Sequence, residues 1–114
     1  MQTLSSNPPR LNFFRKGKVF HVPSEEIIRM EARSNYTWVY FTDHPPVLTA
    51  KVLRIYDKLL CTHGFLRTHR SHLVNLQYVD CLDEKGGIRM RDDSHAEISR
   101  RKKSKVYRTI KCAS

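Results

Sequence analysis

Residues 27–42 read IIRMEARSNYTWVYFT, and the texture of this stretch decides the fold class. Ile27–Ala32 and Tyr36–Thr42 are rich in β-branched and aromatic side chains, and Ser34-Asn35 interrupts them as a turn pair. Such side chains suit a pleated, half-buried surface, so the stretch predicts two strands around a tight turn, with Asn35 tolerating left-handed geometry. The same texture recurs on both sides. Lys18–Val22 predicts a strand closed by Pro23, and Ser24-Glu25-Glu26 a single helical turn. Asp43-His44-Pro45-Pro46 makes a turn before a short strand at Val47–Thr49. Beyond Gly64, Phe65–Arg67, Leu73–Leu76 and Tyr78–Leu82 are apolar again, with a polar loop expected at Thr68–His72. Gly86-Gly87 and Asp92-Asp93-Ser94 mark hairpins before Ile88–Arg91 and His95–Ile98.

Only one segment has a clear helical period. Val52, Leu53, Tyr56, Leu59 and Leu60 recur at spacings of three and four, while Lys51, Arg54, Asp57 and Lys58 take the other face. This predicts one short, core-packing helix at about 50–60, with Thr49 as its N-cap and Gly64 ending the unit. Residues 100–111 fit either a helix, with Val106 and Ile110 four apart, or a ragged basic tail. Residues 1–12, MQTLSSNPPRLN, are polar and carry Pro8-Pro9, so they read as a disordered leader or linker before a single domain over 13–114. The architecture expected is mainly β.

Length and composition narrow the function classes. A chain of 114 residues is one domain, and its 39% hydrophobic and 28% charged residues suit a folded one. No apolar run approaches the ~20 residues that span a bilayer, and the first ten residues lack the apolar core of a secretory signal. The expectation is a soluble cytoplasmic domain whose Cys61, Cys81 and Cys112 are free thiols. Four glycines form neither common nucleotide-binding loop.

The charge balance is the positive clue. Twenty-one Lys and Arg against eleven Asp and Glu give +10, with a pI near 9.9. The charge is also uneven: Arg100, Arg101, Lys102, Lys103, Lys105, Arg108 and Lys111 fall within twelve residues that hold no acid. That footprint suits a polyanion, and nucleic acid and anionic membrane both fit it.

The most unusual stretch is Phe65–Asn75, FLRTHRSHLVN, which sets hydroxyls, imidazoles and guanidinium groups between two apolar runs. Arg is the best bidentate partner of guanine and Asn of adenine, while His, Ser and Thr serve phosphate or base edges. Ile98–Lys103, ISRRKK, ends an apparent strand in four consecutive cations, and Ser99 is placed to cap a following helix. By spacing alone Ser34-Asn35-Tyr36-Thr37 is no more than a hairpin. Cys61, His63, His69 and His72 match no common zinc spacing, and neither G-x-S-x-G nor H-E-x-x-H occurs, so no metal, cofactor or enzymatic activity is expected. Trp38 and Phe41 read as core.

Taken in order, Ile28–Tyr40 (IRMEARSNYTWVY), the helix Leu53–Leu60, FLRTHRSHLVN, Tyr78-Val79 and ISRRKK resemble the LytTR-type DNA-binding domain over about residues 18–108. The H-R-S-x-x-V-N signature after a short helix is the specific part. The resemblance implies an elongated antiparallel β fold of about ten short strands, with loops entering successive major grooves of double-stranded DNA. Paired, directly repeated sites are usual in that family, and a homodimer on DNA is left open. The residues implied at DNA are Asn35 and Tyr36 in the first loop, His69, Arg70 and Ser71 in the second, and Ser99, Arg100, Arg101, Lys102 and Lys103 in the third. The function implied is sequence-specific DNA binding by a bacterial transcription regulator, as the output domain of a two-component response regulator. These 114 residues hold no receiver-sized segment, so an excised output domain and a stand-alone member both remain open. The rival reading is an RNA-binding or ribosome-associated basic β domain, with Tyr36, Trp38 and Tyr40 as stacking aromatics.

Overall fold

The computed structural model describes residues 8–113, with side chains as far as Ile110. Ten strands form three antiparallel sheets. β1 (Arg10–Arg15) and β2 (Lys18–Pro23) make a hairpin. The central sheet has the order β5-β4-β3-β7-β6, from β3 (Ile27–Arg33), β4 (Tyr36–Phe41), β5 (Val47–Thr49), β6 (Phe65–His69) and β7 (His72–Asn75). β8 (Val79–Leu82), β9 (Ile88–Met90) and β10 (His95–Ala96) form the third. Two helices complete the described residues, α1 (Leu53–Leu60) and α2 (Lys103–Ala113), with single 3-10 turns at Ser24–Glu26, Leu76–Tyr78 and Arg100–Lys102.

The central sheet is covered on both faces, which the burial of its strands explains. A bulge between Ile27 and Arg29 turns Ile27 and Met30 to one core and Ile28 to the other. On the first face Met30, Val39, Phe41 and Leu73 pack against Phe13 and Val22 of the hairpin and Leu53, Tyr56 and Leu60 of α1. On the second, Ile28 and Val74 meet Ile88 and Met90 of β9, Ala96 of β10 and Val106 and Ile110 of α2. Each large side chain so buried contributes about 1.5–3 kcal/mol against chain entropy. The described part measures 41 × 40 × 23 Å, a slab, so the elongation expected is shared by two axes.

Several sequence expectations change here. Arg10–Asn12 are not leader: they pair with Pro23, Val22 and His21, because Leu11 and Phe13 alternate inward as a strand requires. Residues 1–7 of the expected leader lie outside the described residues. The turn closing this hairpin puts both Lys16 (φ 52) and Gly17 (φ 78) at positive φ, as a two-residue turn between twisted strands demands. At Ser34-Asn35 the left-handed residue is Ser34 (φ 55), not Asn35.

The single helix expected becomes two, since Val106 and Ile110 anchor α2 in the second core. α1 begins after Val52, without a side-chain cap; Thr49 instead accepts a hydrogen bond from the Tyr56 hydroxyl at 3.0 Å. Its buried stripe is Leu53, Tyr56 and Leu60, while Val52, Ile55 and Leu59 face solvent. The polar loop expected at Thr68–His72 shrinks to a turn at Arg70-Ser71. Thr68 and His72 are buried inside β6 and β7, and the Thr68 hydroxyl is satisfied by the carbonyl of Glu97 at 2.8 Å. Cys61 and Cys81 are exposed free thiols, and the Cys112 side chain lies outside those described.

Candidate nucleic-acid interface

Strand register brings the three expected segments to one end of the central sheet. Arg33 pairs with Tyr36, so the β3–β4 turn is Ser34-Asn35. β3 also pairs with β7, Glu31 opposite His72, and the Ala32 N–H donates to the Ser71 carbonyl at 2.9 Å. The β6–β7 turn therefore stands beside the β3–β4 turn. On the open edge of β6 the Ser99 N–H donates to the Thr68 carbonyl at 2.8 Å, which fixes the third segment next in line. With strands about 4.8 Å apart, the two turns lie about 10 Å from each other and the row as far as Ser99 spans about 17 Å. On its far side the Thr37 hydroxyl donates to the Lys51 carbonyl at 2.7 Å, bringing that cation to the same end.

The expected residues divide by what their side chains do. Asn35, Tyr36, Arg70, Arg100, Arg101 and Lys103 are exposed. His69 is half-buried and turned inward: its Nδ1 accepts the Ser71 N–H at 3.0 Å, which leaves the proton of the neutral ring on Nε2. Ser71 and Ser99 are half-buried, and Ser99, though at the N-cap position of the 3-10 turn, makes no side-chain capping bond. Lys102 is also half-buried, with Nζ on the Arg67 carbonyl at 3.3 Å. Burial, and then the Arg67 guanidinium beside it, hold its ammonium below the ordinary lysine range. The Lys103 ammonium lies 5.7 Å from the Tyr107 ring centroid.

Arg67 is the residue that sequence reasoning missed. Its Nε donates to the His69 carbonyl at 3.0 Å and its Nη2 to the Arg70 carbonyl at 2.6 Å, while Nη1 lies 3.6 Å from Asp57 Oδ2 on α1. One guanidinium thus props the β6–β7 turn against the helix, and its own carbonyl holds Lys102. The only sequence signal was an Arg placed three residues before another Arg at a turn.

Among the described residues no three His, Cys, Asp or Glu side chains converge on a point suited to a metal ion. Tyr36, Trp38 and Tyr40 alternate along one face of β4, where Tyr36 is exposed and the Arg29 guanidinium covers the Tyr40 ring at 4.1 Å. Asn75 is buried and structural: its amide donates to the Ile27 carbonyl at 2.9 Å and its oxygen accepts the Gln77 N–H at 3.1 Å. Among the described residues no helix is long and apolar enough to cross a membrane.

Comparison with known proteins bears on the family and the fold. The family model of the LytTr DNA-binding domain matches residues 17–111. The chain is similar in structure to the LytTr DNA-binding domain of a response regulator from Bacillus cereus, with a TM-score of 0.73 and 18% identity, over 93% of this chain and 97% of that one. No curated protein matches it.

Proposed function

The chain belongs to the LytTr DNA-binding domain family, and from that premise we propose that it binds double-stranded DNA sequence-specifically as the output domain of a bacterial transcription regulator. The alignment of three segments at one end of a two-faced sheet, the second and third carrying the exposed cations Arg70, Arg100, Arg101 and Lys103, carries the reading. A row of about 17 Å is wider than the ~12 Å major groove, so its outer members address different grooves and the middle turn rides between them. Asn35 and Tyr36 belong to one groove contact and Arg100 and Arg101 to the other. Arg70 lies between, close enough to reach either a base edge or a phosphate. The protein acts in the cytoplasm, on paired direct repeats that two copies can occupy together, with no chemistry of its own.

Counterion release supplies the test. Arg70, Arg100, Arg101, Lys103 and Lys51 present five cations at this end, so log K against log salt should fall with a slope of about −4 to −5. A mobility-shift titration on a duplex selected from a random library measures it. A slope near zero, or selection of single-stranded RNA in preference to duplex, would reject the reading.

A further inference from the structure

Beside the row of turns, on the flank where α1, β6 and the start of α2 meet, lies a cavity of about 300 Å³. It is lined by Asp57 and Cys61 from the end of α1, Phe65, Leu66 and Arg67 from β6, and Lys102, Lys105 and Val106. Its charge is unbalanced: three cations face one carboxylate, a net of +2. Lys102 is half-buried with its ammonium on the Arg67 carbonyl at 3.3 Å, and Arg67, Lys105 and Arg101 act against its charge where Asp57 favours it. Apolar groups of Phe65, Leu66 and Val106 complete the lining. A phosphate monoester carries ≈ −1.5 to −2 charge at neutral pH and so matches the excess, and the apolar groups suit a short carbon chain attached to it.

We propose that this cavity binds a small organic phosphate between Arg67, Lys102 and Lys105, and that its occupancy weakens DNA binding. The second half rests on the proposed function; the first does not. The coupling follows from shared groups. Lys102 and Arg67 line the cavity and also hold the second and third segments of the row, through the Arg67 carbonyl and the Arg67 bonds to the β6–β7 turn. A bound dianion draws the Lys102 ammonium from that carbonyl and adds negative charge beside a surface that must meet phosphates. By linkage, duplex DNA must then lower the affinity of the cavity for the phosphate by the same factor.

The test titrates the whole chain, ¹⁵N-labelled, with glycerol 3-phosphate and separately with inorganic phosphate, at fixed ionic strength and without DNA. The expected result is saturable amide shifts confined to Cys61, Phe65–Arg67 and Lys102–Val106, with the ester binding more tightly than the inorganic ion. The exposed Lys105→Gln change should weaken the ester about fivefold while leaving the spectrum elsewhere intact. Non-saturating shifts spread over all basic surfaces mean an adventitious ion only and overturn the site. Saturable shifts centred on Asn35, Arg70 and Arg101 also overturn it, because the phosphate is then imitating a nucleic-acid backbone. With a selected duplex present, saturating ester should reduce DNA affinity severalfold; unchanged affinity would sink the coupling but leave the site standing. Failure of any duplex to bind would instead count against the proposed function alone.

Discussion

The backbone N–H of Ala32 donates to the carbonyl of Ser71 at 2.9 Å, one hydrogen bond that sets two hairpin turns side by side. It continues the β3–β7 ladder past its last paired residues, Glu31 and His72. Because register in a sheet is set to the residue, the side chains at 34–36 and 69–71 are presented in a fixed relation and not as independent loops. Preorganisation of this kind lowers the entropic cost of docking on a regular lattice of phosphates.

Arg70→Ala tests the middle of the row. The side chain is exposed at a turn, so stability should change by no more than about 0.5 kcal/mol in a urea melt. Binding to a selected duplex should weaken by about 1–3 kcal/mol in fluorescence anisotropy, and discrimination at one base pair should relax. Equal losses on selected and scrambled duplexes would assign Arg70 to phosphate instead.

Arg67→Met separates a strut from a contact. Removing the guanidinium leaves the His69 and Arg70 carbonyls without their donors and should cost about 1–2 kcal/mol of stability, less than a fully buried charged bond because the group is partly solvated. DNA affinity should fall with it through loss of turn geometry. The salt slope should nevertheless match that of the unmodified chain, whereas loss of a direct phosphate contact would lower it by about one unit.

Sequence texture carried the central part of this fold and lost its margins, for physical reasons visible at single residues. Alternation in Ile27–Thr42 worked because Thr37, Val39 and Phe41 face one core while Tyr36, Trp38 and Tyr40 are less buried on the other side. Thr68 and His72 misled because they are polar by composition yet buried by position; the hydrogen bond from Thr68 to the Glu97 carbonyl comes from twenty-nine residues away. Leu59 fits the helical period of α1, yet an eight-residue helix needs only Leu53, Tyr56 and Leu60 to seal against the sheet. In the interface, exposed Arg70, Arg100 and Arg101 were legible as surplus charge. The inward turn of Lys102 and the bracing by Arg67 were not, since both depend on where β6 meets α1 and α2.

His72 makes stability pH-dependent. It is buried, and desolvation pushes its pKa below the ordinary histidine range, outweighing the raising effect of Glu31 and Glu97; Arg29 and His69 add to the lowering. With the folded value depressed, the unfolded chain binds more protons between the folded pKa and about 6.5. This contribution is therefore fully present above about 6.5 and is lost as pH falls from there through the folded value. Urea melts at pH 7.5 and 5.5 should show lower stability at 5.5, and His72→Leu should flatten that difference. A difference unchanged in the variant would move its origin to another group.

Asn75 separates signature from contact. It lies within the F-L-R-T-H-R-S-H-L-V-N run that carries the family resemblance, yet its amide is used entirely inside the protein, tying β7 to the Ile27 carbonyl and starting the turn at Leu76 through Gln77. Asn75→Ala leaves a buried carbonyl short of a donor and removes a cap, which should cost about 2–3 kcal/mol in a denaturant melt. At a temperature where the variant remains folded, its affinity for a selected duplex and its salt slope should equal those of the unmodified chain. The contrast with Arg70, five residues earlier, is the sharper claim: one position holds the sheet together and the other faces what the sheet presents. A variant that stays stable but loses DNA binding would show that Asn75 reaches the interface after all.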